Sequence, residues 1–68
     1  MKLMYNGKQV AEIMTNHSMS VKDALYAHGY DLDDQDDADK AYEAREPFAY
    51  VDDDGICCID YDGLSVQA

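Results

Sequence analysis

Thirteen of the chain's fifteen carboxylates lie between Asp31 and Asp62. Side chains of this type can ligate a hard cation, move protons in pairs, or present an anionic surface to a basic partner. Two other groups hold potential chemistry: the adjacent thiols of Cys57 and Cys58, and the imidazoles of His17 and His28. Each of these chemistries needs a particular spacing, and the spacings sort them.

Calcium is the first test. An EF-hand loop places oxygen ligands at positions 1, 3, 5, 7 and 9, a Gly at 6 and a bidentate Glu at 12. A loop starting at Asp31 fits at Asp31 and Asp33, then offers Gln35 at position 5, Asp36 at 6 and Tyr42 at 12. A start at Asp34 puts Ala38 at 5 and Arg45 at 12. The Asp52, Asp53, Asp54, Gly55 stretch has three carboxylates, but hairpin tips carry Asp without any metal. No specific metal site and no cofactor is expected. Nucleophilic catalysis needs a thiol beside a base; no local signature joins Cys57 or Cys58 to His17 or His28, and so small a chain has little room for a pocket. Adjacent carboxylates carry no acid–base argument, since at this density adjacency arises by chance. The chain reads as a non-enzyme. Neighbouring strand residues point to opposite faces, so Cys57 and Cys58 read as reduced thiols of a reducing compartment.

The elements that carry these groups follow from pattern. Asn6-Gly7 separates two short runs, 2–5 and 8–14, and both residues tolerate the positive φ of a type I′ turn. A two-residue turn sets Tyr5 against Lys8 and Leu3 against Val10. After a polar break at Thr15, Asn16 and Ser18, Ser20 and Asp23 form a shortened capping box. Val21, Ala24, Leu25 and His28 then share one helical face, and Gly29 suits a left-handed cap. This predicts a helix over 20–28. A second helix is predicted within Asp31–Glu46, capped by Asp31 or Asp33 and stopped by Pro47. Its apolar face is Ala38, Ala41, Tyr42 and Arg45. Its other side is an acidic arc of Asp33, Asp36, Asp39, Glu43 and Glu46, about 140° wide at 100° per residue, flanked by Asp34 and Asp37.

Residues 48–52 and 56–61 flank a second hairpin signal. An Asp54-Gly55 turn opposes Val51 to Cys58, Tyr50 to Ile59 and Phe48 to Tyr61, with Phe48, Tyr50, Ile59 and Tyr61 as the core face. Leu64 to Val66 is either a short strand or a frayed end. The expected order is β-β-α-α-β-β: a single small α+β domain over residues 1–68, with two hairpins in a small antiparallel sheet and the helices packed on one face.

The charge is split along the chain. Residues 31–62 carry thirteen carboxylates against Lys40 and Arg45, a net −11, whereas residues 1–30 carry three lysines against Glu12 and Asp23, a net +1. A sequence pI near 4.1 excludes a basic nucleic-acid or membrane patch. No apolar run approaches the roughly 20 residues of a membrane span and no signal segment is present; Met1 is read as the true start and the cytoplasm as the location. Acids three or four residues apart on a helix advance about 4.5–6 Å, so interleaved rows plus a hairpin tip approach the charge density of DNA, one phosphate per about 3.4 Å of each strand. Tyr30, Tyr42, Tyr50 and Tyr61 interleave with the acids and suit stacking on a partner's arginines.

The opening residues Met1 to Lys8, then Asn16 to Val21 leading into Asp23, Ala24, Leu25 and Gly29, Tyr30, Asp31, resemble small proteins of phages and prophages. The whole chain resembles the DNA-mimicking anti-CRISPR inhibitors: tiny, acidic, α+β and without enzymatic motifs. That resemblance implies occlusion of the DNA-binding or PAM-reading surface of a CRISPR effector, in the host cytoplasm if the protein is phage-encoded; it transfers no individual residue. The expected partner-binding residues are Asp31, Asp33, Asp34, Asp36, Asp37, Asp39, Glu43, Glu46, Asp52, Asp53 and Asp54, with a monomer favoured because the charged half opposes self-association. Rival expectations are an inhibitor of a restriction enzyme or another DNA-binding host protein, and a divalent-metal-responsive or antitoxin-like binding module.

Overall fold

In the computed structural model, which describes residues 1–15 and 17–68, the elements are β1 (Lys2–Tyr5), β2 (Lys8–Glu12), α1 (Val21–His28), α2 (Gln35–Glu43), β3 (Ala49–Val51), β4 (Cys57–Ile59) and β5 (Leu64–Gln67), with a 3₁₀ turn at Tyr61–Gly63. The α+β class and the order of elements are those expected. The strands, however, divide between two antiparallel sheets, β2-β1-β5 and β3-β4. The second hairpin does not extend the first. The C-terminal strand does, pairing Leu64 with Tyr5 and Val66 with Leu3, because burying Leu64 completes the core beside Leu3. Asn16, part of the expected polar break, lies outside the described residues.

The Asn6-Gly7 turn forms as its chemistry requires, with φ of 49° and 85°, and sets Tyr5 opposite Lys8. Beyond it the expected register fails. Leu3 opposes Ala11, not Val10, because a bulge falls between Leu3 and Met4. One extra residue on β2 thereby restores the inward alignment of Ile13.

Helix α1 matches its sequence signals. The Ser20 hydroxyl accepts the Asp23 N–H at 3.1 Å, and Ala24 and Leu25 are buried. Gly29, at φ 121°, closes the helix while its N–H reaches Tyr26 O and the Tyr30 N–H reaches Leu25 O. This pair of bonds is a Schellman ending. Helix α2 is shorter than expected at both ends. Asp34, not Asp31 or Asp33, is its N-cap, accepting the Asp36 N–H at 2.9 Å. The Asp31 carboxylate instead accepts the Asp33 N–H and folds 31–34 into a turn. Nor does Pro47 stop α2. A second Schellman ending does, with Arg45 N–H to Tyr42 O, Glu46 N–H to Ala41 O and Arg45 in the left-handed region at φ 60°.

The β3–β4 hairpin slips by one residue from expectation. Val51 opposes Cys57, Tyr50 opposes Cys58 and Ala49 opposes Ile59. The loop is three residues long, Asp53 to Gly55, because Asp52 N–H donates to Ile56 O and Gly55 takes φ 78°. A type I turn followed by a left-handed Gly is the usual three-residue solution. A one-residue slip exchanges faces, so the expected core face breaks up. Phe48 is fully buried, Ile59 turns to the other face with Cys57, and Tyr50 and Tyr61 are exposed.

The core is Leu3, Ile13, Ala24, Leu25, Ala41, Phe48 and Leu64. Phe48 sits at its centre, edge-on to Tyr5, His28 and Tyr30 at centroid distances of 6.0–6.4 Å. The C-terminal segment is tied to the first hairpin by Tyr5 OH, which donates to Asp60 at 2.8 Å, and by Asn6 N–H to Gly63 O at 3.0 Å. Gly63 is required there: a Cβ would stand 2.6 Å from the Tyr5 ring.

Candidate functional site: the acidic surface

The eleven acids expected to meet a partner fall into two groups. Asp31, Asp37, Asp39, Glu46 and Asp52 are half-buried, while Asp33, Asp34, Asp36, Glu43, Asp53 and Asp54 are exposed. Backbone N–H groups recruit Asp31, Asp37 and Asp52 of the first group and, as the N-cap of α2, Asp34 of the second.

The inner group holds the fold. Asp37 accepts the Asp31 N–H at 2.7 Å and lies 3.7 Å from Lys40. Glu46 meets His28 Nε2 at 2.6 Å, joining the end of α2 to the end of α1. Asp52 accepts both the Asp54 and Ile56 N–H groups through one oxygen, at 2.9 and 3.0 Å, and so shapes the hairpin tip from inside. Its other oxygen faces the Cys58 thiol. Asp39 faces Gln35 and Cys57. Among the exposed acids, Asp33 is paired with Lys22 at 2.5 Å, a bridge that holds the Lys22 ammonium above its ordinary pKa.

The arc is consequently narrower than expected. Asp33 and Glu46 lie outside α2. Asp36, Asp39 and Glu43 remain, spanning about 60° at 100° per residue. Helix α2 stands over the Cys57 side of β4, where Gln35 Nε2 donates to the Cys57 carbonyl at 2.8 Å; burial, then Asp39 and more weakly Glu43, raises the Cys57 pKa there. The α2 arc and the Asp53–Asp54 tip therefore border the same β3–β4 hairpin.

The cysteines are free and half-buried. Burial first, and then Asp39 for Cys57 or Asp52 for Cys58, raises both pKa values above the ordinary thiol range. A thiolate nucleophile is disfavoured on both counts. Among the described residues no three His, Cys, Asp or Glu side chains converge on a point that would hold a metal ion.

The aromatic groups also divide. Tyr30 packs in the core, where burial, then Glu46 and Asp37, raises its pKa. Tyr42, Tyr50 and Tyr61 are exposed beside the acids. Tyr50 is raised as well, chiefly by the charge of Cys58.

Three internal bonds were not visible in the sequence: Lys22–Asp33, His28–Glu46 and Tyr5–Asp60. The only available signal was that the few cations and one Tyr hydroxyl must find acids somewhere in so acidic a chain. Among the described residues no helix is long and apolar enough to cross a membrane. No protein-family model, curated protein or solved structure matches the chain.

Proposed function

We propose that the protein is a non-enzymatic inhibitor that covers a basic, DNA-binding surface by imitating the charge of DNA. The observation that carries this reading is the set of exposed carboxylates left without a cation. Asp34, Asp36, Glu43, Asp53, Asp54 and Asp62 are exposed, and among the described residues the ion pairs are spent elsewhere, on Asp33, Asp37 and Glu46. Uncompensated charge in a small body opposes its own folding. A cationic partner surface removes that cost.

Dimensions narrow the imitation. The fold is 38 Å long and carries a net charge of −10. That is about one net charge per 3.8 Å, close to one strand of a duplex at about 3.4 Å and half the density of both strands together. The mimicry is of a single phosphate row or one groove wall. Tyr42, Tyr50 and Tyr61 are exposed and offer rings on which a partner's arginines would stack. The partner class drawn from the resemblance is a CRISPR effector, with its PAM-reading groove as the covered surface and the cytoplasm as the place of action.

The test is displacement. A labelled PAM-containing duplex bound to a guide-loaded effector is titrated with the protein, and anisotropy is read. The expected result is displacement near one equivalent that weakens steeply between about 50 and 200 mM salt. Displacement independent of salt, or none on any basic DNA-binding effector, would refute the proposal.

A further inference from the structure

We infer that the outer edge of β3 takes up an extended, basic segment of the protein partner as an added strand. The basic character of that partner rests on the proposed function; the contact itself rests on the backbone.

Among the described residues strand β3 has β4 on one side only. The Asp52 N–H donates to Ile56 O at 3.0 Å and the Asp60 N–H to Phe48 O at 2.7 Å, which marks 52/56 and 48/60 as hydrogen-bonded pairs. The alternation of an antiparallel ladder makes Val51/Cys57 and Ala49/Ile59 the non-bonded pairs, with N–H and C=O turned outward. On β4 the outward carbonyl of Cys57 is taken by Gln35 Nε2 at 2.8 Å, so α2 covers that edge. On β3 the Ala49 N–H is taken by Glu46 O. The Ala49 carbonyl and both backbone groups of Val51 have no bond among the described residues, and Val51 is exposed.

An open strand edge normally carries Lys, Pro or a bulge against self-pairing. None of these occurs within Ala49–Val51. Charge does that work here. Asp53 and Asp54 stand at one end of the edge, and at the other a groove lined by Tyr42, Glu43, Arg45, Glu46 and Ala49 sets Glu43 against Arg45, with Glu46 already bonded to His28. A second copy would bring a net −10 against −10. A guest strand with Lys or Arg at the end beside Asp53 and Asp54, and apolar residues along Val51, meets unpaired carboxylates there and bonds the open backbone groups of Val51 and Ala49. This is strand addition with the usual division of labour: main-chain bonds for affinity, side chains for choice of partner.

The test uses the isotope-labelled full chain and a short peptide of alternating lysine and valine, beside the same peptide with every backbone nitrogen methylated, so that neither edge can donate. Charge is equal in the two; only the first can form a ladder. The expected result is shifted Val51 and Ala49 amides, slowed exchange at Val51, and about tenfold weaker binding of the methylated peptide, the equivalent of about two lost hydrogen bonds. Equal affinities, with shifts confined to Asp36, Glu43, Asp53 and Asp54, overturn edge pairing and leave the charge-led reading standing. Protection of Val51 that depends on protein concentration and not on peptide also overturns it, by making a second copy the occupant. Failure to displace duplex refutes the inhibitor reading whatever the peptides do.

Discussion

Reversing Asp36, Glu43 and Asp54 to lysine should abolish partner binding while leaving the protein at least as stable as before. All three side chains are exposed and none takes part in an ion pair among the described residues. Three reversals move the net charge from −10 to −4. Two unit charges about 4 Å apart in water attract by about 1 kcal/mol. Reversal removes that and adds a repulsion of similar size, so each site loses about 2 kcal/mol and three lose about 6 kcal/mol, or four orders of magnitude in affinity. Screening at about 0.15 M salt, where the Debye length is about 8 Å, brings this nearer two to three orders. Asp36 lies in the first turn of α2, where the dipole favours an acid, so its reversal costs about 0.5 kcal/mol. Glu43 is the last residue of α2, where an acid is unfavourable, and it stands four residues after Asp39; its reversal recovers about as much. Duplex displacement reads the first effect and thermal unfolding the second. Binding within about threefold of the parent, in a variant that melts normally, would refute the argument that these carboxylates face the partner.

Four further outcomes are expected. Asp52→Ala should cost about 1–2 kcal/mol in urea unfolding, because the Asp54 and Ile56 N–H groups lose their shared acceptor, whereas Asp52→Asn, which keeps that oxygen, should stay within about 0.5 kcal/mol; equal losses would mean that charge, not the acceptor, holds the tip. Arg45→Gly should raise stability by about 0.5 kcal/mol, since a non-glycine residue at φ 60° is strained and glycine is not; a lower melting temperature would show that the guanidinium contributes more than the strain costs. The thiols of Cys57 and Cys58 should react slowly with iodoacetamide near neutral pH and faster once unfolded, and Asp39→Asn should speed Cys57 alone. Because the folded thiols and Tyr5, Tyr30 and Tyr50 all hold their protons to higher pH than the unfolded chain, their contribution to stability is present below about pH 8.5 and lost as pH rises through the folded values; a melting temperature that climbs from pH 8 to 10 would contradict this.

Local chemistry was legible wherever a residue has few alternatives. Asn6 and Gly7 tolerate a left-handed turn that most residues resist, Ser20 and Gly29 bracket α1 at a helix's unsatisfied ends, and Val21, Ala24, Leu25 and His28 fall on one face. These gave the first turn, α1 and the α+β order, as found. The concentration of charge between Asp31 and Asp62 was equally plain, since it is a property of composition.

Tertiary structure decided the rest. Asp31, Asp33 and Asp34 are each competent caps, and only the packing of Ala38 and Ala41 against the hairpin selects Asp34. An Asp-rich tip permits loops of two or three residues, and the three-residue loop turned Tyr50 outward and Ile59 to the Cys57 face. Strand β5 lies beside β1 because Leu64 needs the core that Leu3 and Phe48 build, a long-range gain that no local pattern encodes. By itself, then, the sequence determined that this protein is small, α+β and strongly anionic. Which carboxylates satisfy its own backbone and which are left for a partner was decided only by the fold, because a hydrogen bond depends on where a neighbouring N–H ends up, whereas a formal charge does not.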